Sequence, residues 1–291
     1  MKQDPGSDDD RGICPVIAPS SSDRLRATLE RYKHGNAEGP AIKTESPQGP
    51  ANARELRSKK RALEDDTDAK SSPSPSKRKR PSSRYAPPSK YAHLSPLTDI
   101  LSPNLICVFV GFNPGVRTAT SGHAYAHPSN LFWKLLHSSG CTDRRLEPRE
   151  DVDLPRLYRM GNTNIVARPS RDAAELSKAE SAAGTPILEE KIRKFRPEAV
   201  CIVGKGIWES IWRWRYGRNI RKAEFRYGWQ DERERMGKTG DWEGAWVFVA
   251  TATSGLAANL RPHEKEAIWR PFGEWVKSRR EERGSSSFQA C

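Results

Sequence analysis

The chain has 291 residues, with 50 Lys+Arg against 37 Asp+Glu and a formal net charge of +13; no apolar run approaches the roughly 18–20 residues of a bilayer span, and the start, MKQDPGSDDD, is acidic where a signal peptide would be apolar. The five cysteines, Cys14, Cys107, Cys141, Cys201 and Cys291, form no C-x-x-C pair and have no His at zinc spacing, so a disulfide framework, a metal centre and an iron–sulfur site are unsupported. The expectation is an intracellular protein with a polyanionic partner, because Lys and Arg that neutralise phosphates release counterions.

All nine Trp and all eight Phe lie beyond residue 100. Residues 1–95 hold 19 Lys+Arg and 13 Asp+Glu, few aromatics and runs such as SSPSPSKRKRPSS. Such a segment buries too little apolar surface to offset its chain entropy, so a disordered basic region is expected there. Within it, Arg57-Ser58-Lys59-Lys60-Arg61 and Lys77-Arg78-Lys79-Arg80-Pro81 read as nuclear-import or nucleic-acid-contact clusters, which makes the nucleus the expected location. Residues 96–283 are expected to form one globular domain, and 284–291 a short disordered tail.

In that domain, Leu105-Ile106-Cys107-Val108-Phe109-Val110 is an apolar run of strand length closed by Gly111, suited to burial on both faces. A loop, NPGVRTATSGHAYAH, follows it. From Pro128 a helix is predicted, with Leu131, Phe132, Leu135 and Leu136 on one face and Gly140 as its stop. Ser177 and Glu180 have capping-box spacing, and Pro186 is read as opening a helix with Ile187, Leu188, Ile192 and Phe195 inward, ended at Pro197. A second strand, Ala199 to Val203, precedes Gly204-Lys205-Gly206 and an aromatic-rich helix. The charged stretch from Gln230 to Glu243 reads as a solvated loop, Ala245 to Ala250 as a third strand, and His263 to Arg283 as a helix kinked at Pro271. Apolar strands alternating with helices imply a three-layer α/β/α domain around a mostly parallel sheet. Ligands of open α/β sheets bind beyond the carboxyl ends of the strands. The loops of interest are therefore G-F-N-P-G, G-K-G and T-A-T-S-G-L.

Gly204-x-Gly206 lacks the third glycine of a dinucleotide fingerprint, since position 209 is Glu; no P-loop and no zinc-deaminase signature is present. Gly111-Phe112-Asn113-Pro114-Gly115 puts a neutral amide at the mouth of the crevice between two glycines. As a bare pattern it is also a common turn. Its company is what gives it weight: Tyr125 lies in GHAYAHPSNLFWK, directly before a helix start.

LTDILSPNLICVFVGFNPG, GHAYAHPSNLFWKLLHSSG, NTNIVARPS, ELSKAESAAG, FRPEAVCIVGK and TSGL, in this order from about Leu97 to Trp275, resemble the mismatch-specific uracil and thymine DNA glycosylases of the uracil-DNA glycosylase superfamily. The resemblance implies excision of mispaired uracil or thymine (G·U, G·T) from double-stranded DNA, leaving an abasic site, without metal or other cofactor. It implies Asn113 as the catalytic residue that positions water, backbone N–H groups around Phe112 and Tyr125 as donors to the pyrimidine, and Tyr125 as the ring that stacks on the flipped base. Asn164 and Ser170 match base-contacting positions, and Thr118 lies near where a thymine methyl would sit. Ser254-Gly255-Leu256 matches the loop that wedges into the duplex, with Lys205, Arg261 and Lys265 as phosphate contacts. Each has a structural alternative: a core aromatic for Tyr125, a backbone-satisfying amide for Asn164, a side chain folded onto the core for Leu256. Ala252 departs from the pattern, since relatives carry Asn or Ser there, which puts rate and substrate range in doubt. The chain is expected to act as a monomer, with downstream abasic-site repair proteins as candidate partners. Two alternatives stay open: a broad-range uracil-DNA glycosylase, and a non-catalytic DNA-binding repair scaffold.

Overall fold

The computed structural model describes residues 84–288. Both basic clusters, 57–61 and 77–81, lie outside the described residues. Five strands, β1 (Cys107–Gly111), β2 (Met160–Asn164), β3 (Ala199–Val203), β4 (Gly228–Trp229) and β5 (Trp246–Ala250), form one sheet in the order β2-β1-β3-β5-β4. The pairs β1–β2, β1–β3 and β3–β5 are parallel, and only β4 runs antiparallel, against β5. Gly111 pairs with Asn164 in register, so β1 and β2 end side by side.

Alternation along these strands builds two cores. Cys107, Phe109, Cys201 and Phe248 face one side, where they pack with α2 (Phe132–Ser138) and α6 (Pro262–Phe288) through Phe132, Leu136, Trp269, Phe272 and Trp275. Val108, Val110, Val200, Ile202 and Val247 face the other side, against α4 (Lys178–Phe195) and α5 (Lys205–Tyr216) through Leu188, Ile192, Ile207, Trp208 and Ile211. The sheet is therefore covered on both faces, which is why its strands read as continuous apolar runs. Among the described residues no helix is long and apolar enough to cross a membrane.

Several expectations need correction. The loop after β1 contains a short helix, α1 (Val116–Ser121), and α2 starts at Phe132, whose N–H the Asn130 side chain caps at 3.0 Å, not at Pro128. β2, which follows the short helix α3 (Leu154–Tyr158), is absent from the expected strands, because its polar Asn162 and Thr163 hide the strand pattern. They are nonetheless buried: Thr163 donates to Asp99 at 2.6 Å, and the Asn162 backbone bonds Ile100.

The Ser177–Glu180 capping box is present and reciprocal, but it opens one helix that runs straight through Pro186. That helix's inner face is Ser181, Gly184, Thr185, Leu188 and Ile192, which leaves Ile187 off the face and exposed. Gly184 is obligatory here, because a Cβ would collide with the Ile165 carbonyl oxygen.

The stretch 230–243 is only partly solvated. Gln230, Glu234, Arg235 and Met236 are buried, and Glu234 is held by Arg215 at 3.1 Å and Tyr216 at 2.6 Å. Order begins before residue 96: Ala86 is buried, and Lys90 and Tyr91 both donate to Glu175 at 2.7 Å. α6 also continues past 283 to Phe288.

Candidate active site

The GFNPG, HPSN and TSGL loops leave the sheet region on the side where β1, β3 and β5 end, and Asn113 sits in the first of them. Its Nδ2 donates to Ser170 Oγ at 2.9 Å, to the Pro114 carbonyl at 3.1 Å and to the Arg168 carbonyl at 3.2 Å. Two of those partners are carbonyl oxygens and the third, Ser170 Oγ, spends its own proton on the Asp172 carbonyl at 2.7 Å. Only an amide nitrogen satisfies all three, so this set fixes which end of the carboxamide is which. The Oδ1 end is left as an acceptor for another group.

Ser170 is thereby corrected. It is fully buried and occupied by Asn113 and Asp172, so it steadies the amide rather than touching a base. The Arg168 that supplies the neighbouring carbonyl is itself pinned, by an ion pair to Glu180 and a bond from Nη2 to the Ala86 carbonyl at 3.0 Å.

Tyr125 has a φ of 53°, a region that non-glycine residues seldom occupy. Its ring stacks on Phe132 at 3.8 Å and an interplanar angle of 13°, and Phe132 in turn meets Phe109 of β1 edge-on at 5.2 Å. One side of the Tyr125 ring is thus anchored to the sheet, while the residue as a whole is only half-buried. Its hydroxyl is buried without a hydrogen-bond partner, and burial pushes the phenol well above its ordinary pKa, so it is neutral at any working pH.

The preceding residue is held by a carboxylate that the sequence did not reveal. Asp151, fully buried, accepts from the Ala124 N–H at 2.6 Å and from the His123 ring at 2.9 Å, and the Ala124 carbonyl accepts from Trp133 Nε1 at 3.2 Å. Asp151 lies in a charged 3-10 segment, where nothing in the pattern separates it from a surface acid.

Asn164 closes β2 beside the end of β1. A Cβ at Gly111 would lie 2.5 Å from its Oδ1 and 3.1 Å from the Tyr125 hydroxyl, so Gly111 is the floor on which both side chains meet. Phe112, partly buried, packs toward the core on the α4/α5 side of the sheet, and its carbonyl accepts from Val166 at 2.9 Å. The N–H groups of Phe112 and Tyr125 make no backbone bond among the described residues. Thr118 is the buried residue of α1.

On the third loop, Leu256 is 76% exposed, so the alternative of a side chain folded onto the core is excluded. Ser254 Oγ accepts from the Leu256 N–H at 3.3 Å and shapes the turn. Ala252 packs near Gly204, where a Cβ would meet its own at 3.3 Å. Lys265 is a second correction. It is 4% exposed, and its ammonium donates to the Ala257 carbonyl at 2.7 Å and the Ala252 carbonyl at 3.2 Å, with burial lowering its pKa. A cation so enclosed cannot serve a phosphate. Lys205 and Arg261 remain exposed, though Lys205 also lies over the Phe225 ring at 4.6 Å and 3.7 Å from Glu209.

The class follows from this geometry: a three-layer α/β domain whose chemistry-bearing loops gather at the carboxyl edge of its parallel strands, around an amide anchored by its nitrogen. Residues 98–273 match the uracil DNA glycosylase superfamily, and the chain belongs to it. A G/U mismatch-specific uracil DNA glycosylase of Schizosaccharomyces pombe is 39% identical over 193 residues, 65% of this chain and 56% of that protein. The chain thus spans little more than half the length of this curated relative.

Proposed function

We propose that this protein excises uracil mispaired with guanine from double-stranded DNA by hydrolysing the N-glycosidic bond, and that thymine in G·T pairs is a second substrate. The observation that carries the reading is the anchoring of Asn113. With Nδ2 committed to three acceptors, Oδ1 is the end that faces a water molecule and aims it at C1′ of an extruded nucleotide. The water oxygen bonds to C1′ as the C1′–N1 bond breaks, the pyrimidine leaves with the electron pair, and the proton lost from the water passes through solvent to the departed anion. A G·U or G·T mispair lowers the cost of extrusion because it is weaker than a normal pair.

A neutral amide orients water but does not draw its proton by charge, so acceleration depends on the leaving group. The N–H groups of Phe112 and Tyr125 suit that task, as preorganised donors to the negative pyrimidine. The open side of Tyr125 stacks on the base, a contact of about 1–3 kcal/mol, while Asn164 reads its edge. Leu256 enters the space that the nucleotide vacates, and Arg261 and Lys205 contact phosphates. The basic clusters before residue 84 direct import to the nucleus, and the chain works as a monomer on DNA, passing its abasic product to downstream repair proteins.

The test is incubation with duplexes holding G·U, G·T and A·U and with single-stranded uracil DNA, followed by strand cleavage at abasic sites. Release from G·U ahead of A·U supports the reading. Equal release from all uracil substrates would instead make this a broad-range enzyme, and no release would leave a DNA-binding scaffold.

A further inference from the structure

Lys265 is a buried cation with no carboxylate in its ion-pair sphere among the described residues. Enclosing an ammonium that way is costly, and an apolar side chain would fill the same volume without that cost. What the ammonium does, and an apolar side chain could not, is bond the carbonyls of Ala252 and Ala257, the two residues that bracket Thr253, Ser254, Gly255 and Leu256.

The opposite side of this loop is fixed as well. The Leu131 N–H donates to the Thr253 carbonyl at 2.8 Å, and Gly255 lies so close to Ser129 that an added Cβ would come within 2.8 Å of the serine Cβ, and nearer still to its hydroxyl. The loop is therefore held between α6 and the segment that leads from Tyr125 into α2. Ser254, Gly255 and Leu256 are exposed at its tip, and Leu256, 76% exposed, is the large apolar side chain among them.

We propose that Lys265 is the positioning residue of the wedge: its ammonium ties both ends of the 252–257 loop to α6 and so keeps Leu256 presented to the duplex before DNA arrives. The proposal rests on the reading of Leu256 as the wedge. Preorganisation of this kind lowers the ordering cost that a flexible loop would incur on binding. It also accounts for a lysine at a position from which no phosphate is reached.

The experiment compares the full-length chain with Lys265→Met, Lys265→Gln, Leu256→Ala and the Lys265→Met/Leu256→Ala double variant. Single-turnover uracil release from a G·U duplex and amide hydrogen exchange across 252–260 are measured on each. Loss of two bonds from a charged donor predicts release slower by on the order of tenfold or more in Lys265→Met. Faster exchange in 253–257 should accompany it, and partial recovery is expected in Lys265→Gln, which keeps amide donors. Because Lys265 acts through Leu256, the double variant should be no slower than Leu256→Ala alone.

Additive losses, or unchanged exchange in the loop, would overturn the proposal by reducing Lys265 to a general stabiliser. Should Lys265→Met not fold, Lys265→Gln supports the same cycle. A wild-type chain that releases no uracil would sink the functional reading and this proposal together, whereas an active wild type matched by Lys265→Met would sink this proposal alone.

Discussion

Gly111→Ala separates the site from the scaffold more sharply than most substitutions. The new methyl would stand 2.5 Å from Asn164 Oδ1, and ordinary contact begins at 3.4 Å, so that oxygen must retreat by about 0.9 Å. The Tyr125 hydroxyl, at 3.1 Å, must yield by a few tenths more. The backbone at Gly111 has no positive φ that an alanine would resist. Among the described residues no hydrogen bond holds the Asn164 amide in place, so swinging it aside is cheap. Replacing glycine also removes freedom from the unfolded chain, worth about 0.4–1 kcal/mol in favour of folding. The net change in stability is therefore expected within about 1 kcal/mol of zero. Activity has no such compensation. A displacement near one ångström in a group that positions the substrate costs about 10²-fold. The assay is single-turnover uracil release from a G·U duplex, alongside a thermal melt. A folded Gly111→Ala protein that works within about twofold of wild type would refute the placement of Asn164 and Tyr125 around the base.

Three further outcomes follow from the same geometry. Asp151→Ala strands the Ala124 N–H and the His123 ring, which should destabilise the domain by about 1–3 kcal/mol in chemical denaturation, and should slow release further as Tyr125 loses its support. Ser170→Ala leaves Asn113 two carbonyl partners, so duplex affinity should hold while the release rate drops by up to about tenfold. Glu175 is pulled down to a pKa of about 2 by its hydrogen bonds from Lys90 and Tyr91. A lowered carboxylate stabilises the fold above its ordinary value of 4.5 and loses that contribution as pH falls toward about 2, so unfolding free energies at about pH 5 and about pH 3 should differ less in Glu175→Gln than in wild type.

The apolar strands β1, β3 and β5 were legible because burial on both faces leaves an uninterrupted hydrophobic run. β2 was not, since its Asn162 and Thr163 are buried polar residues: Thr163 donates to the distant Asp99, while Asn162 is bonded to Ile100 through its backbone and has no partner for its side-chain oxygen among the described residues. Pro186 misled by position: a proline reads as a helix start, yet the Ser177 cap had already opened the helix, and an exposed proline is tolerated within it. At the site, Asn113, Tyr125 and Leu256 could be picked out by motif. Lys265 could not be assigned from sequence, because a lysine bonded to two carbonyls looks the same in a string of letters as one facing solvent. Asp151 was invisible for the same reason. Their roles depend on partners that the fold brings in from distant segments.

The Asn113 carboxamide, anchored through its nitrogen, is assigned to directing water at the sugar carbon. Asn113→Ala measured on a G·U duplex, with base release and mismatch binding followed in the same preparation, tests it most directly. Release should be abolished while binding is largely retained. Release at the wild-type rate from the alanine variant would contradict it.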